Sequence, residues 1–457
     1  MERFDAILSS QDRYFMSGVT REPSFRKEML RKLRSAIMKF EPRMDEALRL
    51  DLGKSSFEAY ASETGLILEE LNYHLRKLAK WARRERVRSP LVHFPASSFI
   101  YPQPYGKVLI LGTWNYPLQI ILLPLVGAIS AGNCAVIKPS EFAPASANLL
   151  EEIIRDTFPA EYITVIQGAS ETGQELLNSK FDFIFFTGSP RVGKIVMESA
   201  AKNLVPVCLE LGGKSPCIVE ADADIKLAAR RIIWGKLINA GQTCVAPDYV
   251  FVHHLVKDAL VEEMKINIRT FFGEDPSLSP DYGRIINSAH WERLRSMMDG
   301  CRILEGGKVK EDERYIAPTI IDGVPFSHRL MQEEIFGPLL PLLEYEKISE
   351  VADFVNKRDR PLALYYFSKN GKNRKFVIDS IPCGGVCINE TVTQFANIHL
   401  PVGGVGNSGM GSYHGEASFR TFSHYKSVLV KSTFLDVPFR YPPYSPIKMK
   451  VLRRFLG

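Results

Sequence analysis

The sequence predicts an α/β protein with two domains, each built around a parallel sheet. Two stretches of the chain, residues 105–211 and 212–393, alternate short apolar runs with helical patterns, which is typical of βαβ units. The glycine pair Gly212-Gly213 separates the two stretches. Segments 87–104 and 394–457 break the alternation with prolines, glycines and aromatic residues, so we expect them to bridge the domains.

The elements follow in order along the chain. Residues 12–86 repeat apolar side chains at three- and four-residue spacing, which predicts helices at 25–40 and 59–81. Residues 83–104 contain four prolines and are predicted to be extended. Short apolar runs predict strands at 108–111, 135–137, 163–166, 181–186, 249–252 and 385–388. Further helices are predicted after Pro117, around 145–158, from about Val192 and at 255–272.

Composition limits the class of protein. With 457 residues, 45% of them hydrophobic, the chain can bury a large core. The formal net charge of +6 is small for this length and does not indicate nucleic-acid binding. The start of the chain does not look like a leader, the apolar stretch 116–131 is too short to span a bilayer, and seven cysteines form no disulfide framework. We therefore expect a cytoplasmic protein. No metal site is predicted, because Cys383 and Cys387 lack the spacing of a zinc motif.

The string Asn-Ala-Gly-Gln-Thr-Cys-Val-Ala-Pro, residues 239–247, surrounds a candidate nucleophile, Cys244. A cysteine thiolate attacks carbonyl carbons readily. Gly241 is expected to let the backbone approach a bound ligand closely. A single cysteine is more often a packed core residue, and the surrounding string favours the catalytic interpretation.

Glu210 lies between apolar residues and just before Gly212-Gly213. A carboxyl group at the end of a buried strand loses solvent, which raises its pKa and suits it to general-base work. The alternative is a structural ion pair, with Lys214 as the nearest candidate partner.

Four further motifs follow predicted strands or turns. Residues 186–193 form a strand, a glycine turn and a helix start, where backbone N–H groups can meet a phosphate. Asn115 can donate its side-chain N–H to an oxyanion, and Lys138 with Glu141 can bind ribose hydroxyls. Glu333-Glu334 precedes the aromatic Phe336. Each motif alone could equally be an ordinary turn or helix start.

Together and in this order, the motifs resemble those of the aldehyde dehydrogenase superfamily, from about residue 10 to residue 435. The closer resemblance is to the class 3 group, which includes the fatty and aromatic aldehyde dehydrogenases. It rests on the string around Cys244 that ends at Tyr249, on the glycine-rich segment 400–415, and on the segment 418–424. The resemblance implies an NAD(P)-binding domain of modified Rossmann type, residues 1–86 and 105–211, and a catalytic domain, residues 212–393. It also implies bridging or oligomerisation segments, residues 87–104 and 394–457.

The same resemblance implies roles for individual residues. Cys244 would be the nucleophile, Glu210 the general base, and Asn115 with the Cys244 N–H the oxyanion hole. Lys138 and Glu141 would hold the adenosine ribose, and Glu334 the nicotinamide ribose with Phe336 nearby. The remaining residues implied at the cofactor site are Thr113, Trp114, Thr187, Gly188, Ser189, Val192, Gly193, Leu211 and Gly212.

The implied function is oxidation of a medium- or long-chain aliphatic or aromatic aldehyde to the acid, through a thiohemiacetal and a thioester on Cys244. We expect NAD as the cofactor, with NADP as a second option, and a homodimer. One alternative is an acylating enzyme that passes the acyl group to coenzyme A, which Glu210 disfavours. Another is a catalytically silent structural relative, which the joint presence of the motifs disfavours.

The basic and apolar tail, residues 441–457, has two interpretations. One is a strap on the partner subunit, which we favour. The other is a short helix lying on an anionic membrane surface.

Overall fold

A computed structural model of the protein describes residues 2–456, and side chains from Phe4 to Arg454. Within this range the helices, numbered in chain order, are α1 (Glu2–Met16), α2 (Pro23–Leu52), α3 (Ser56–Ala59), α4 (Gly65–Trp81), α5 (Gln119–Ala131), α6 (Pro144–Thr157), α7 (Ser170–Leu177), α8 (Pro190–Lys202), α9 (Ile225–Leu237), α10 (Lys257–Phe272), α11 (Ser288–Ser296), α12 (Arg329–Gln332), α13 (Ile348–Asn356), α14 (Gly371–Ser380), α15 (Glu416–Thr421) and α16 (Pro446–Leu456).

The strands, numbered in the same way, are β1 (Glu85–Val87), β2 (Ala96–Pro104), β3 (Lys107–Leu111), β4 (Cys134–Lys138), β5 (Ile163–Val165), β6 (Phe183–Gly188), β7 (Val207–Leu211), β8 (Pro216–Val219), β9 (Tyr249–His253), β10 (Arg302–Glu305), β11 (Val309–Lys310), β12 (Tyr315–Ile316), β13 (Thr319–Asp322), β14 (Leu339–Tyr345), β15 (Ala363–Phe367), β16 (Gly385–Ile388), β17 (Gly409–Met410) and β18 (Ser423–Lys431).

Two large sheets confirm the predicted α/β fold class. The first has the strand order β17-β7-β6-β3-β4-β5, in which β3 to β7 are parallel and β17 is antiparallel. The second has the order β10-β13-β14-β9-β8-β15-β16 and is parallel except at β10. Their central strands, such as β3, β4, β8 and β15, are fully buried, as expected for parallel sheets covered by helices, whereas the edge strands β10 and β16 are partly exposed. The exact domain boundaries stay a prediction.

The two bridging segments meet in a third sheet. Strand β18 pairs antiparallel with β2 over nine residues, from Ser423–Pro104 to Lys431–Ala96, and β1 pairs with the other side of β2. This sheet leaves β18 as an edge strand. The described helices include none that is long and apolar enough to cross a membrane.

The N-terminal helices differ from the prediction in two places. Helix α2 continues beyond residue 40, through Pro42, to Leu52. Pro42 is exposed, so water can satisfy the carbonyl that loses its N–H partner. The second predicted helix is interrupted by a π-helical turn, Tyr60–Thr64, which the apolar pattern does not reveal because Glu63 is a buried charged residue.

Helix α8 begins at Pro190, two residues earlier than predicted. Ser189 caps it by accepting a hydrogen bond from the Val192 N–H at 3.4 Å. Proline is well suited to the first helical position, because its missing N–H has no partner within a helix there.

Candidate active site

A cavity of about 740 Å³ lies between the two large sheets. Its first wall comes from the carboxyl ends of β3, β6 and β7 and the residues that follow them. Its second wall includes residues that precede strands of the second sheet, such as Cys244 before β9 and Glu334 before β14. The predicted site residues that line the cavity are Thr113, Trp114, Asn115, Thr187, Gly188, Ser189, Glu210, Leu211, Gly212, Cys244, Glu334 and Phe336.

Cys244 follows a tight turn with an unusual backbone. Asn239 and Ala240 have φ angles of 54° and 51°, and Gly241 follows at 77°. A Cβ on Gly241 would collide with the Gly337 carbonyl. The close approach that the structure shows is to protein backbone, at Gly337 in the loop that follows Glu334. The approach of a bound ligand to Gly241 stays a prediction.

The Cys244 thiol is half-buried. Burial, the charge of Glu334 and the charge of Glu210 raise the pKa of this thiol to about 12. Both carboxyl groups line the same cavity as Cys244. Without cofactor the side chain is therefore a protonated thiol at neutral pH, and its activation needs a nearby proton acceptor.

Glu210 is the last residue but one of strand β7 and is buried. Its Oε1 has no hydrogen-bond partner among the described residues, and burial raises its pKa well above the usual range. Lys214 is not its partner. The Lys214 ammonium pairs with Asp248 and donates to the carbonyls of Leu330 and Glu333 at 2.7 and 2.8 Å. The ion-pair alternative for Glu210 is therefore excluded.

Glu334 is the second carboxyl group without a full set of partners. Its Oε1 is buried and unpartnered in the described chain, and burial together with the charge of Asp248 raises its pKa to about 8. A Cβ on Gly212 would collide with Glu334 Oε2. Glycine at this position therefore lets Glu334 reach the end of β7, on the wall that carries Glu210.

Asn115 is almost fully buried, and its Nδ2 donates to the Gln242 carbonyl at 3.0 Å. Because an amide nitrogen carries two hydrogens, one remains for another acceptor. Behind it, Lys54 and Glu63 form a buried ion pair of 2.6 Å. Glu63 Oε2 also accepts from the N–H groups of Leu118 and Gln119 at 3.0 and 3.1 Å. The sequence analysis missed this buried ion pair behind Asn115, because charged residues within helical segments are usually exposed.

Four predicted cofactor residues lie outside the cavity lining. Lys138 and Glu141 follow β4 and form an ion pair of 3.2 Å. Val192 and Gly193 lie in the first turn of α8. A Cβ on Gly193 would collide with Leu211, so this glycine allows the helix to pack closely on β7.

The predicted residues nevertheless form a surface that suits a dinucleotide. Thr187 Oγ1 and Glu334 Oε1 are buried polar atoms without partners in the described chain, so a bound polar group can satisfy them. Phe336 packs edge-on against Trp114, with ring centroids 5.3 Å apart. The described residues contain no cluster of three metal-ligating side chains.

The sequence analysis also missed cavity residues from distant parts of the chain. Tyr116 Oη shares a 2.6 Å hydrogen bond with Thr243 Oγ1, next to the nucleophile. Tyr413 and His414 come from the glycine-rich segment and line the same cavity. The segment stood out by its glycines, but nothing in the sequence indicated which of its side chains face inward.

Comparison with known proteins places this architecture in context. The model of the aldehyde dehydrogenase family matches residues 2–428. The 4,4'-diaponeurosporen-aldehyde dehydrogenase of Staphylococcus aureus is 48% identical over 97% of this chain and 96% of its own. The dimeric NADP-preferring aldehyde dehydrogenase of Canis lupus familiaris is 45% identical over 97% of this chain and 98% of its own. A solved structure of Staphylococcus aureus AldH in a substrate-bound state superposes with a TM-score of 0.98, at 47% identity and full coverage of both chains.

Proposed function

The chain belongs to the aldehyde dehydrogenase family. It is an NAD(P)-dependent oxidoreductase that acts on aldehydes, and we propose how its residues perform the reaction. The observation that carries the proposal is a single cavity that holds Cys244, Asn115 and two incompletely partnered carboxyl groups, Glu210 and Glu334. Mixing the protein with NAD and an aldehyde, and following reduced-nicotinamide absorbance, tests it directly. Absence of any absorbance change across an aldehyde panel would contradict it.

In the first half-reaction, Cys244 Sγ loses its proton to Glu210 and bonds to the aldehyde carbon. The free Asn115 side-chain N–H and the backbone N–H of Cys244 bind the oxyanion that forms, which gives a thiohemiacetal. Bound NAD(P) supplies the hydride acceptor for this carbon. Loss of the hydride leaves a thioester on Cys244.

After the thioester has formed, Glu210 releases the proton that it took from Cys244 to solvent. In the second half-reaction it removes a proton from water, and the hydroxide attacks the thioester carbon. The carbon–sulfur bond breaks, the carboxylic acid leaves, and Cys244 recovers its proton. The raised pKa of the Glu210 carboxyl group makes it a stronger base than an ordinary surface carboxylate.

The cofactor would be held by residues from both walls. In this proposal Glu334 binds the nicotinamide ribose, with Phe336 packed nearby, and Lys138 and Glu141 bind the adenosine ribose. Between the two ribose sites the cofactor would run along the cavity residues Thr113, Trp114, Thr187, Gly188, Ser189, Leu211 and Gly212, and beside Val192 and Gly193.

We propose that NAD serves at least as well as NADP. The Glu141 carboxylate accepts hydrogen bonds from ribose hydroxyls and repels a 2′-phosphate. Lys138 attracts that phosphate, but its ammonium is already paired with Glu141 at 3.2 Å. Initial rates at varied NAD and NADP give kcat/KM for each, and a strong preference for NADP would refute this assignment.

The substrates proposed are medium- and long-chain aliphatic or aromatic aldehydes. The cavity wall is largely apolar and aromatic, with Leu66, Trp234, Leu237, Phe395 and Val402. Apolar surface of this kind favours each added methylene of a substrate by about 0.8 kcal/mol when it is fully buried. A series of straight-chain aldehydes should show kcat/KM rising with chain length, and a flat series would contradict the class.

A homodimer is proposed through the third sheet. Strand β18 has an unpaired edge, and Leu429, Val430 and Phe434 are exposed there. An exposed apolar edge strand is a surface that a second copy can cover by a two-fold contact. Light scattering on the protein as it elutes from a size-exclusion column should give twice the mass of the 51.6 kDa chain. The cytoplasmic location also remains a proposal.

The tail forms the helix α16, in which Ile447, Met449 and Leu452 are exposed. We propose that it straps onto the partner subunit. Truncation after Pro443 should then weaken the dimer, while the intact protein should not co-sediment with anionic liposomes at low salt. Co-sedimentation that the truncation abolishes, with activity on a water-soluble aldehyde retained, would favour the membrane interpretation instead.

A further inference from the structure

His414 is a buried imidazole in the wall of the active-site cavity with no role in the reaction described above. Its side chain is 4% exposed and it lines the cavity. Its φ angle is 87°, in the left-handed region that non-glycine residues rarely adopt. Neither ring nitrogen has a hydrogen-bond partner within the described part of the chain.

The backbone around His414 is held by Glu70 on helix α4. Glu70 Oε1 accepts from the Gly415 N–H at 2.8 Å and from the Ser418 hydroxyl at 3.3 Å. Ser418 Oγ in turn accepts from the His414 N–H at 2.8 Å. On the other side, the Tyr413 and Val402 backbones exchange two hydrogen bonds of 2.8 and 2.9 Å. The imidazole is therefore presented to the cavity by a fixed frame.

The charge of Glu70 favours one of the two neutral forms of the His414 ring. Glu70 Oε2 lies 4.0 Å from His414 Nδ1, and this Nδ1 is sealed from solvent. A carboxylate facing one ring nitrogen favours the tautomer with the proton on that nitrogen. The opposite nitrogen, Nε2, then keeps a free lone pair, and His414 lines the cavity that would hold the substrate.

We propose that His414 is a specificity-determining residue that accepts a hydrogen bond from a donor group on the substrate, such as a hydroxyl remote from the aldehyde carbon. In a cavity that also has apolar wall residues such as Phe395 and Val402, Nε2 is a hydrogen-bond acceptor without a protein partner among the described residues. A hydroxylated aldehyde satisfies it, whereas an alkyl aldehyde of the same size leaves it unsatisfied. This inference rests on the aldehyde oxidation proposed above.

The test compares isosteric substrates that differ only in CH3 against OH. One pair is 4-ethylbenzaldehyde and 4-(hydroxymethyl)benzaldehyde, and the other is decanal and 9-hydroxynonanal. The ratio of kcat/KM within each pair is measured for the parent protein and for His414→Phe. We expect the parent to favour the hydroxylated member of at least one pair. We expect the variant to lose that preference by roughly three- to tenfold, the worth of one net hydrogen bond, mostly through KM.

Two further variants keep the test decisive. His414→Asn tolerates the left-handed backbone but is too short to occupy the same point, so it should lose the preference even if the Phe variant folds poorly. His399→Phe is the matched control, because His399 lies in the same part of the chain but packs on Tyr73, with ring centroids 5.2 Å apart. It should retain the parent ratios.

The inference is overturned if the parent shows no hydroxyl preference in either pair, or if the His414 variants keep the parent's ratios. Failure of the proposed function is distinguishable from this outcome, because the parent would then oxidise neither member of any pair.

Discussion

Glu63 and Glu210 are both buried carboxyl groups on the Asn115 side of the cavity, but their surroundings are opposite. Glu63 has an ammonium partner at 2.6 Å and two backbone N–H donors. Glu210 has an oxygen without a partner and a pKa that burial raises well above the usual range. Removing one member of a buried ion pair destabilises the fold, whereas an unpaired buried carboxyl group stays available for proton transfer. A substitution at Glu210 should therefore change the reaction rate, whereas one at Glu63 should change the stability of the fold.

The largest effect on the rate is expected at the nucleophile, Cys244, which lies in the same cavity as the unpaired Glu210. Cys244→Ala should reduce aldehyde oxidation by on the order of 10⁴-fold or more, while NAD binding, followed by fluorescence or calorimetry, persists. Cys208→Ala is a matched control, since Cys208 is buried on strand β7, two residues before Glu210, and takes no part in the mechanism. It should retain aldehyde oxidation. Turnover by Cys244→Ala at the parent rate would move the nucleophile elsewhere.

Glu210→Gln should slow steady-state turnover by roughly 10²- to 10⁴-fold, the usual contribution of a general base. If another group can accept the Cys244 proton, the variant still acylates. Rapid mixing should then show one equivalent of reduced cofactor formed quickly, followed by slow turnover. Parent-like turnover without a burst would shift the assignment of the base to Glu334.

The raised pKa of the Cys244 thiol predicts a pH dependence for its alkylation in the absence of cofactor. Because that pKa is about 12, the thiolate fraction at neutral pH is small and rises tenfold with each pH unit. Iodoacetamide labelling of the Cys244 peptide, followed by mass spectrometry, should accelerate about a hundredfold between pH 7 and pH 9. A rate that levels off below pH 9 would show an activated thiol in the resting protein.

The smallest effect on the reaction rate is expected at Glu63, the carboxyl group that is paired with Lys54. Glu63→Gln is the same chemical change as Glu210→Gln, but it leaves the buried Lys54 ammonium without its counter-charge. Breaking such a pair costs about 3–5 kcal/mol of stability, so thermal unfolding should begin at a lower temperature while the folded fraction keeps most of its activity. If Glu63→Gln unfolded at the parent's temperature and gave the same burst of reduced cofactor as Glu210→Gln, the two carboxyl groups would not have the different roles proposed for them.

The sequence predicted the two parallel sheets well, because their buried strands are continuous apolar runs such as residues 108–111 and 249–252. The resemblance to a known family, rather than the strand pattern, implied that Asn115, Glu210 and Glu334 share one site, and all three line the same cavity. The sequence could not separate Glu63 from Glu210, because partner geometry depends on contacts between distant residues. The π-helical turn and the inward side of His414 were hidden for the same reason.

Strand β17 has a consequence for how the protein is made. Gly409 and Met410 pair with Glu210 and Leu209, and the Leu211 N–H donates to the Ser408 carbonyl at 3.1 Å. Until residue 410 has left the ribosome, β7 is an open edge that can pair with another chain. The neighbourhood of the base is thus completed by a long-range contact late in synthesis. A chain that stops before residue 408 lacks the strand that covers the β7 edge beside Glu210, so we expect full activity only from a nearly complete polypeptide.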